Sequence, residues 1–180
     1  MASLRRSVAV SVLFTLFGGP VPVLFLGPLA LTGLRTVPGR PEPVVNVAYV
    51  LIALGLAILL GCISRFIFVG RGSLAPFLPP EHLVVSGLYR FVRNPMYLGV
   101  VLALLGECLL FSPLTMAIYT VFVALGMHIW VCLYEEPHLA QLHPGDYATY
   151  MHHVPRWFPR PLPWSGPSPS DPNYFGPEHR

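Results

Sequence analysis

A run of 21 residues without a charged side chain, residues 44–64, limits the folds open to this chain more than any other feature. As a helix it would be about 31 Å long at about 1.5 Å per residue, which matches a hydrocarbon core of about 30 Å. Residues 114–134 form a second run of the same length, interrupted only by His128. Because only 11% of the chain is charged, against about 25% in soluble domains, the sequence predicts an integral membrane protein.

The first apolar segment, residues 7–34, carries no charge but contains several glycines and prolines. These residues predict a bent helix, or a helix with an irregular midsection. Arg5 and Arg6 precede the segment, as in a signal peptide. Its apolar part is longer than the usual core of about 7–15 residues in such peptides, so we expect a membrane helix.

A shorter apolar segment, residues 98–111, is followed by the pair Ser112 and Pro113, which favours a tight turn. With residues 114–134 it predicts a helical hairpin whose first helix begins near Pro95. The predicted fold class is therefore all-α: a polytopic membrane protein with about four transmembrane helices and a C-terminal helical hairpin.

The distribution of arginine predicts the orientation. Arginines occur at the N-terminus, around the loop after the second apolar segment and after the fourth: Arg5, Arg6, Arg65, Arg71, Arg90, Arg93, Arg156 and Arg160. The hairpin turn has none, although Arg35 and Arg40 in the first loop weaken the contrast. The positive-inside tendency predicts that both termini are cytoplasmic, and we expect the bacterial inner membrane. The second loop and the C-terminal segment would then share the cytoplasmic side, where their polar stretches can meet.

Composition divides the chain into one membrane domain, residues 1–160, and a tail, residues 161–180, whose Pro, Ser and Gly content predicts disorder. The net charge of +3 is too small and scattered to indicate nucleic-acid binding. No obligate protein partner is evident. The cysteines lie inside apolar runs with no zinc spacing, and no set of ligands predicts a metal site.

Two polar stretches flank the predicted hairpin. The first is SGLYRFVRNPMYLG, residues 86–99, and the second is YEEPHLAQLHPGDYATYMHHVPRWFP, residues 134–159. An Arg-Asn-Pro-Met-Tyr turn, a hydrophobic hairpin, a Glu-Glu pair and a Val-Pro-Arg segment, in this order, resemble the isoprenylcysteine carboxyl methyltransferase and phospholipid methyltransferase superfamily of integral membrane enzymes. The resemblance covers residues 81–159, a little under half of the chain.

This resemblance implies methyl transfer from S-adenosylmethionine to a lipophilic or small acceptor at the membrane interface. The cofactor-binding residues that it implies are His82, Leu83, Val84, Tyr89, Asn94, Pro95, Met96, Tyr97 and Glu135. We assign the catalytic roles to Glu135 and Arg93. The chain departs from the pattern of the superfamily at Asn94, where His is usual, and Asn cannot carry a proton.

The chemistry of S-adenosylmethionine fits these residue types. It carries a sulfonium cation, an amino group, a carboxylate and a flat adenine, which require an acid, hydrogen-bond donors and an apolar or aromatic slot. The chain offers Glu135 as the acid, Arg93 and Asn94 as donors, and Tyr89 and Tyr97 as aromatic residues. The amides that follow Pro95 at the predicted helix start could also bind an anionic group.

Several of these residues also have structural explanations. The arginines and tyrosines of the first stretch could be interfacial anchors: Arg90, Arg93, Tyr89 and Tyr97. Glu135 and Glu136 are predicted at a helix C-terminus, where the macrodipole disfavours negative charge. We expect a functional role for Glu135, whereas Glu136 could be functional or simply solvated at the interface. Glu107 could be functional or lie near the far headgroups, and His128 is expected to be a hydrogen-bonded core residue.

The sequence does not distinguish between an oxygen, a nitrogen and a sulfur nucleophile as the methyl acceptor. Members of the superfamily that methylate a carboxylate resemble one another in having Arg one turn before the Glu pair, where this chain has Val131. A carboxylate acceptor is therefore less expected, unless Arg156 supplies the cation. Two alternatives are a nicotinamide-dependent reductase of the sterol-reductase-like type, in which an acid commonly stands where this chain has Val100, and a non-catalytic membrane protein of the same fold.

Overall fold

The computed structural model of the protein describes residue 15, residues 19–68 and residues 83–166. Within these residues the chain is helical and contains no strand, which confirms the all-α prediction. The helices, in chain order, are α1 (Pro22–Thr32), α2 (Glu42–Phe68), α3 (Pro95–Leu110), α4 (Pro113–Leu142) and α5 (Asp146–His153). A short 3₁₀ turn, Gly87–Arg90, precedes α3.

Two of these helices, α2 with 27 residues and α4 with 30, are long and apolar enough to cross a membrane by length and composition. The helices α1 and α3 are apolar but shorter. A π-helical turn, Pro22–Leu26, opens α1, which confirms the irregular geometry predicted for that segment in the part of it that the structure describes. Four membrane crossings and two cytoplasmic termini stay predictions.

We expect reporter fusions to test that topology directly. A reporter of membrane sidedness fused after Pro41, in the loop between α1 and α2, should report the side opposite to a reporter at the C-terminus. The expectation follows from the run lengths and from the positive-inside distribution of arginine. Two reporters on the same side would contradict the number of crossings or the orientation.

The helices α2 and α3 approach each other so closely that their backbones touch through glycine. A Cβ atom at Gly55 of α2 would lie 2.5 Å from the carbonyl oxygen of Gly99 in α3. A Cβ atom at Gly106 of α3 would lie 2.7 Å from the carbonyl oxygen of Ala48 in α2. Small residues at helix interfaces permit this approach in membranes, and it fixes the start of α3, which carries part of the site.

Substitution of Gly55 tests this contact. We expect Gly55→Ala to lower the free energy of unfolding by about 1–3 kcal/mol, because an added methyl group overpacks a rigid backbone contact. Gly61 is a matched control on the same helix, since nothing lies within 4 Å of its Cβ position. Gly61→Ala should change stability by less than about 1 kcal/mol. Equal effects of the two variants in a denaturant titration would contradict the contact.

The start of α3 follows from the pair Asn94 and Pro95. Asn94 has φ −122° and ψ 54°, outside helical geometry, as expected of a residue before proline. Pro95 occupies the first helical position, where its missing N–H has no cost. The predicted helix start near Pro95 is confirmed. At the other end α3 finishes at Leu110, and α4 begins at Pro113 and packs against it.

The glutamate pair lies inside α4 and not at its end, so the prediction of a helix C-terminus here is wrong. The helix passes through a π-helical turn, Val131–Glu135, in which the N–H of Glu136 donates to the carbonyl of Val131, and continues to Leu142. The turn ends two residues before Pro137, which has no N–H and would clash with a carbonyl of a regular helix. The macrodipole argument for a functional pair therefore does not apply.

After α4 the chain packs back onto the stretch before α3. One buried apolar cluster joins the two stretches: Leu83, Val85, Tyr147, Tyr150, Val154 and Trp164. Trp164 falls in the segment predicted to be a disordered tail, yet it is buried in this cluster. The packed part of the chain thus extends at least to Trp164, and the rest of the predicted tail, residues 167–180, lies outside the described residues.

Candidate active site

Hydrogen bonds pair the loop before α3 with the segment after α5, so the two polar stretches meet. The backbone N–H of Arg93 donates to Pro155 O at 2.9 Å, Asn94 Nδ2 to Arg156 O at 3.2 Å, the N–H of Arg160 to Phe91 O at 2.9 Å, and the N–H of Trp164 to Arg90 O at 2.9 Å. Each bond crosses more than 60 residues of sequence. The pairing holds both stretches beside the π-helical turn of α4.

Glu135 in that turn faces the first turn of α3. The hydroxyl of Tyr97 donates to Oε2 of Glu135 at 2.6 Å, and the ring of Trp157 lies 6.4 Å from the ring of Tyr97. The side chain of Glu135 is half-buried. Among the described residues, no arginine or histidine lies within ion-pair distance of it.

Glu136 has the opposite environment, because two arginines bind it. Arg156 makes a bidentate contact, with Nε 2.8 Å from Oε1 and Nη2 2.7 Å from Oε2. Arg93 Nη1 lies 2.9 Å from Oε1. The side chains of Arg93 and Glu136 are each 10% exposed, whereas that of Arg156 is 33% exposed. The hydrogen bonds to Glu136 raise the pKa of Arg156, which keeps its guanidinium charged in this contact.

The residues predicted to line the adenosine end lie in apolar contacts. Leu83 is buried in the cluster under α5, and Val84 is buried with Cys62 of α2 and with Tyr89. The ring of Tyr89 packs edge-on against Phe66, with centroids 5.7 Å apart. Burial raises the pKa of Tyr89, which keeps its hydroxyl protonated. His82 lies outside the described residues.

The predicted donors Arg93 and Asn94 are already engaged by the protein, the first with Glu136 and the second with the carbonyl of Arg156. Pro95 is buried at the helix start, and Met96 packs between α2 and the loop. The free amides of the first turn of α3 remain as donors for an anionic group, since a helix start leaves its first N–H groups without intrahelical partners.

Sequence reasoning missed two features of the site. It did not pair Arg156 with Glu136, because a separation of 20 residues gives no local signal of contact. It also placed His128 in the core, whereas the structure leaves this side chain exposed and hydrogen-bonded to Trp157, with Trp157 Nε1 donating to His128 Nδ1 at 3.0 Å. The signal available in the sequence for a role of His128 was an imidazole within an otherwise apolar helix.

Two helices that are long and apolar enough to cross a membrane thus meet a cluster of acids, arginines and tyrosines, as in an integral membrane protein with a polar site at the membrane boundary. A model of the phospholipid methyltransferase family matches residues 44–145, which is more than half of the 180 residues. The chain therefore belongs to the phospholipid methyltransferase family, within the superfamily of integral membrane methyltransferases. Comparison with curated proteins and with solved structures gave no match.

Proposed function

We propose that this protein is an S-adenosylmethionine-dependent methyltransferase that acts on a lipophilic acceptor at the membrane interface. The observation that carries the proposal is the environment of Glu135. Its carboxylate is half-buried and held by Tyr97 at 2.6 Å, and among the described residues it has no cation as a partner. A carboxylate in such a place is costly to desolvate unless it is paired, so a cationic ligand is the partner that fits.

The residues fit S-adenosylmethionine by their chemistry. When bound, this cofactor supplies a methyl group on a sulfonium sulfur, which an acceptor takes with a lone pair while the carbon–sulfur electron pair stays on sulfur. Glu135 would face the cationic part of the cofactor, and Tyr97 would fix the orientation of Glu135. The first amides of α3, after Pro95, would receive its carboxylate. The roles of Leu83, Val84 and Tyr89 would be to form the apolar wall behind the site.

Arg93 and Arg156 would act mainly through Glu136. Their contacts with it hold the C-terminal segment against α4, so the segment covers the site and excludes water. Exclusion of water and correct positioning can supply much of the rate of a methyl transfer, and no covalent catalyst is needed. Arg93, which the sequence suggested as a catalytic residue, is on this proposal a positioning residue.

The acceptor would enter from the bilayer, because the site lies where apolar helices meet the polar loop. Val131, which stands where some relatives have Arg, is fully buried and offers no cation. Arg156 lies next to this part of α4, and its Nη1 takes no part in the bidentate contact with Glu136. It is the group that would meet an anionic part of the acceptor. We also propose the bacterial inner membrane as the location, with the site on the cytoplasmic side.

Binding of cofactors to the purified full-length protein tests the proposal. We expect S-adenosylmethionine to bind in isothermal titration calorimetry and NADPH to give no heat of binding, since the family match favours the methyltransferase over a reductase. Labelled S-adenosylmethionine with a membrane lipid extract should then give a labelled lipid. Binding of NADPH without S-adenosylmethionine would overturn the proposal in favour of the reductase.

A further inference from the structure

His128 is a polar side chain at an unusual place on α4. It lies seven residues before Glu135, about 10 Å further along the helix at about 1.5 Å per residue. That position is inside the apolar part of a candidate membrane span, and the side chain is exposed. An imidazole at membrane depth is costly and points to a functional site.

The hydrogen bond from Trp157 determines what this imidazole can do. An indole N–H can only donate, so His128 Nδ1, 3.0 Å from Trp157 Nε1, must accept. In the neutral ring the proton is then on Nε2. The neighbour of Nε2 among the described residues is Sγ of Cys132 at 3.7 Å, and sulfur is a weak acceptor. The Nε2–H group of His128 is thus a strong hydrogen-bond donor whose neighbour, the sulfur of Cys132, is a weak acceptor.

The same tryptophan links His128 to the proposed active site. The ring of Trp157 lies 5.9 Å from His128 and 6.4 Å from Tyr97, whose hydroxyl binds Glu135. His128 and Cys132 lie one turn apart on α4, whereas the π-helical turn Val131–Glu135 changes the helical spacing before Glu135. The link from His128 to Glu135 therefore runs through Trp157 and Tyr97, and it begins at an imidazole whose Nε2 lies beside the weak acceptor Cys132.

We infer that His128 Nε2–H binds a carbonyl oxygen of the methyl acceptor, about 10 Å from its reacting end. The inference rests on the proposed function and deepens it. The acceptor is an amphiphile whose ester or amide carbonyl lies between its polar head and its hydrocarbon chains. Trp157 is the positioning residue that fixes the imidazole tautomer.

A pair of probe lipids that differ only in their carbonyl groups tests this inference. We would titrate diester and diether phosphatidylethanolamine into the full-length protein in detergent and follow the ¹⁵N–¹H signal of the Trp157 indole. The signal is identified by its loss in Trp157→Phe. The wild type should bind the diester lipid about fivefold more tightly than the diether lipid, as expected for one hydrogen bond.

Variants of His128 separate recognition from a purely structural contact. His128→Phe should abolish the preference for the diester lipid, whereas His128→Gln, which can accept from Trp157 and donate onward, should retain it. If the contact between His128 and Trp157 is purely structural, His128→Phe would lower the melting temperature and leave the preference for the diester lipid unchanged. Equal binding of both lipids to the wild type, or no binding of the diester lipid, would overturn the inference.

The affinity for S-adenosylmethionine is measured in the same samples. If the wild type binds the cofactor but shows no carbonyl preference, the inference fails and the proposed function stands. If it shows the preference but does not bind the cofactor, the proposed function fails. His128→Phe should leave the dissociation constant of the cofactor within about twofold, because His128 lies away from Glu135.

Discussion

Glu136→Ala should destabilise the protein more than any other single change at the site. Removing this carboxylate leaves Arg93 and Arg156 without the group that binds both of them. Loss of one partner from a buried ion pair costs about 3–5 kcal/mol. We expect the lower end of that range, because Arg156 is 33% exposed and can be solvated. The free energy of unfolding in mixed micelles with a denaturing detergent measures the effect.

A triple variant serves as the control for this prediction. Replacing Arg93 and Arg156 by Met together with Glu136→Leu removes the charges as a set, which is often neutral for stability. The triple variant should recover most of the stability and lose methyl transfer, because the C-terminal segment is no longer held over the site. A loss below about 1 kcal/mol in Glu136→Ala would show that the trio contributes little.

Glu135→Ala should produce the largest loss of cofactor affinity. We expect the dissociation constant of S-adenosylmethionine to rise about tenfold or more, because a hydrogen bond to a charged group is worth about 1.5–3 kcal/mol. Glu135→Gln retains the contact with Tyr97 and should lose most of the affinity as well, since it removes the charge. Isothermal titration calorimetry on each variant measures both values.

Glu42→Gln is the matched control for Glu135→Gln. Glu42 is an exposed carboxylate in the first turn of α2, so the same chemical change there should leave cofactor affinity and stability unchanged. Tyr97→Phe removes only the hydroxyl that orients Glu135 and should weaken binding by less than Glu135→Ala. Unchanged affinity in Glu135→Ala would exclude this carboxylate from the cofactor site.

The local features of the fold could be predicted from the sequence because they depend on neighbouring residues. Run length and low charge predicted the long apolar helices, and the steric effect of Pro95 on Asn94 predicted where α3 begins. Rules that depend on neighbouring residues failed where the backbone is irregular. The end of α4 was placed before the glutamate pair, yet a π-helical turn lets the helix continue through Pro137 to Leu142.

The motifs alone indicated the methyltransferase superfamily, and that resemblance singled out Glu135 as a cofactor-binding residue. Only the tertiary structure could decide which glutamate pairs with arginine and which, among the described residues, is held by Tyr97 alone. Arg156 reaches Glu136 from 20 residues away, and Arg93 reaches it from the other side of the hairpin turn. The contact of Arg156 depends on the docking of the C-terminal segment, which packs through Trp164 and Tyr150 and bonds to the backbone of the loop before α3. Charge pairing at this range leaves no periodic pattern in a sequence, so the different partners of the two neighbouring acids appear only in the folded structure.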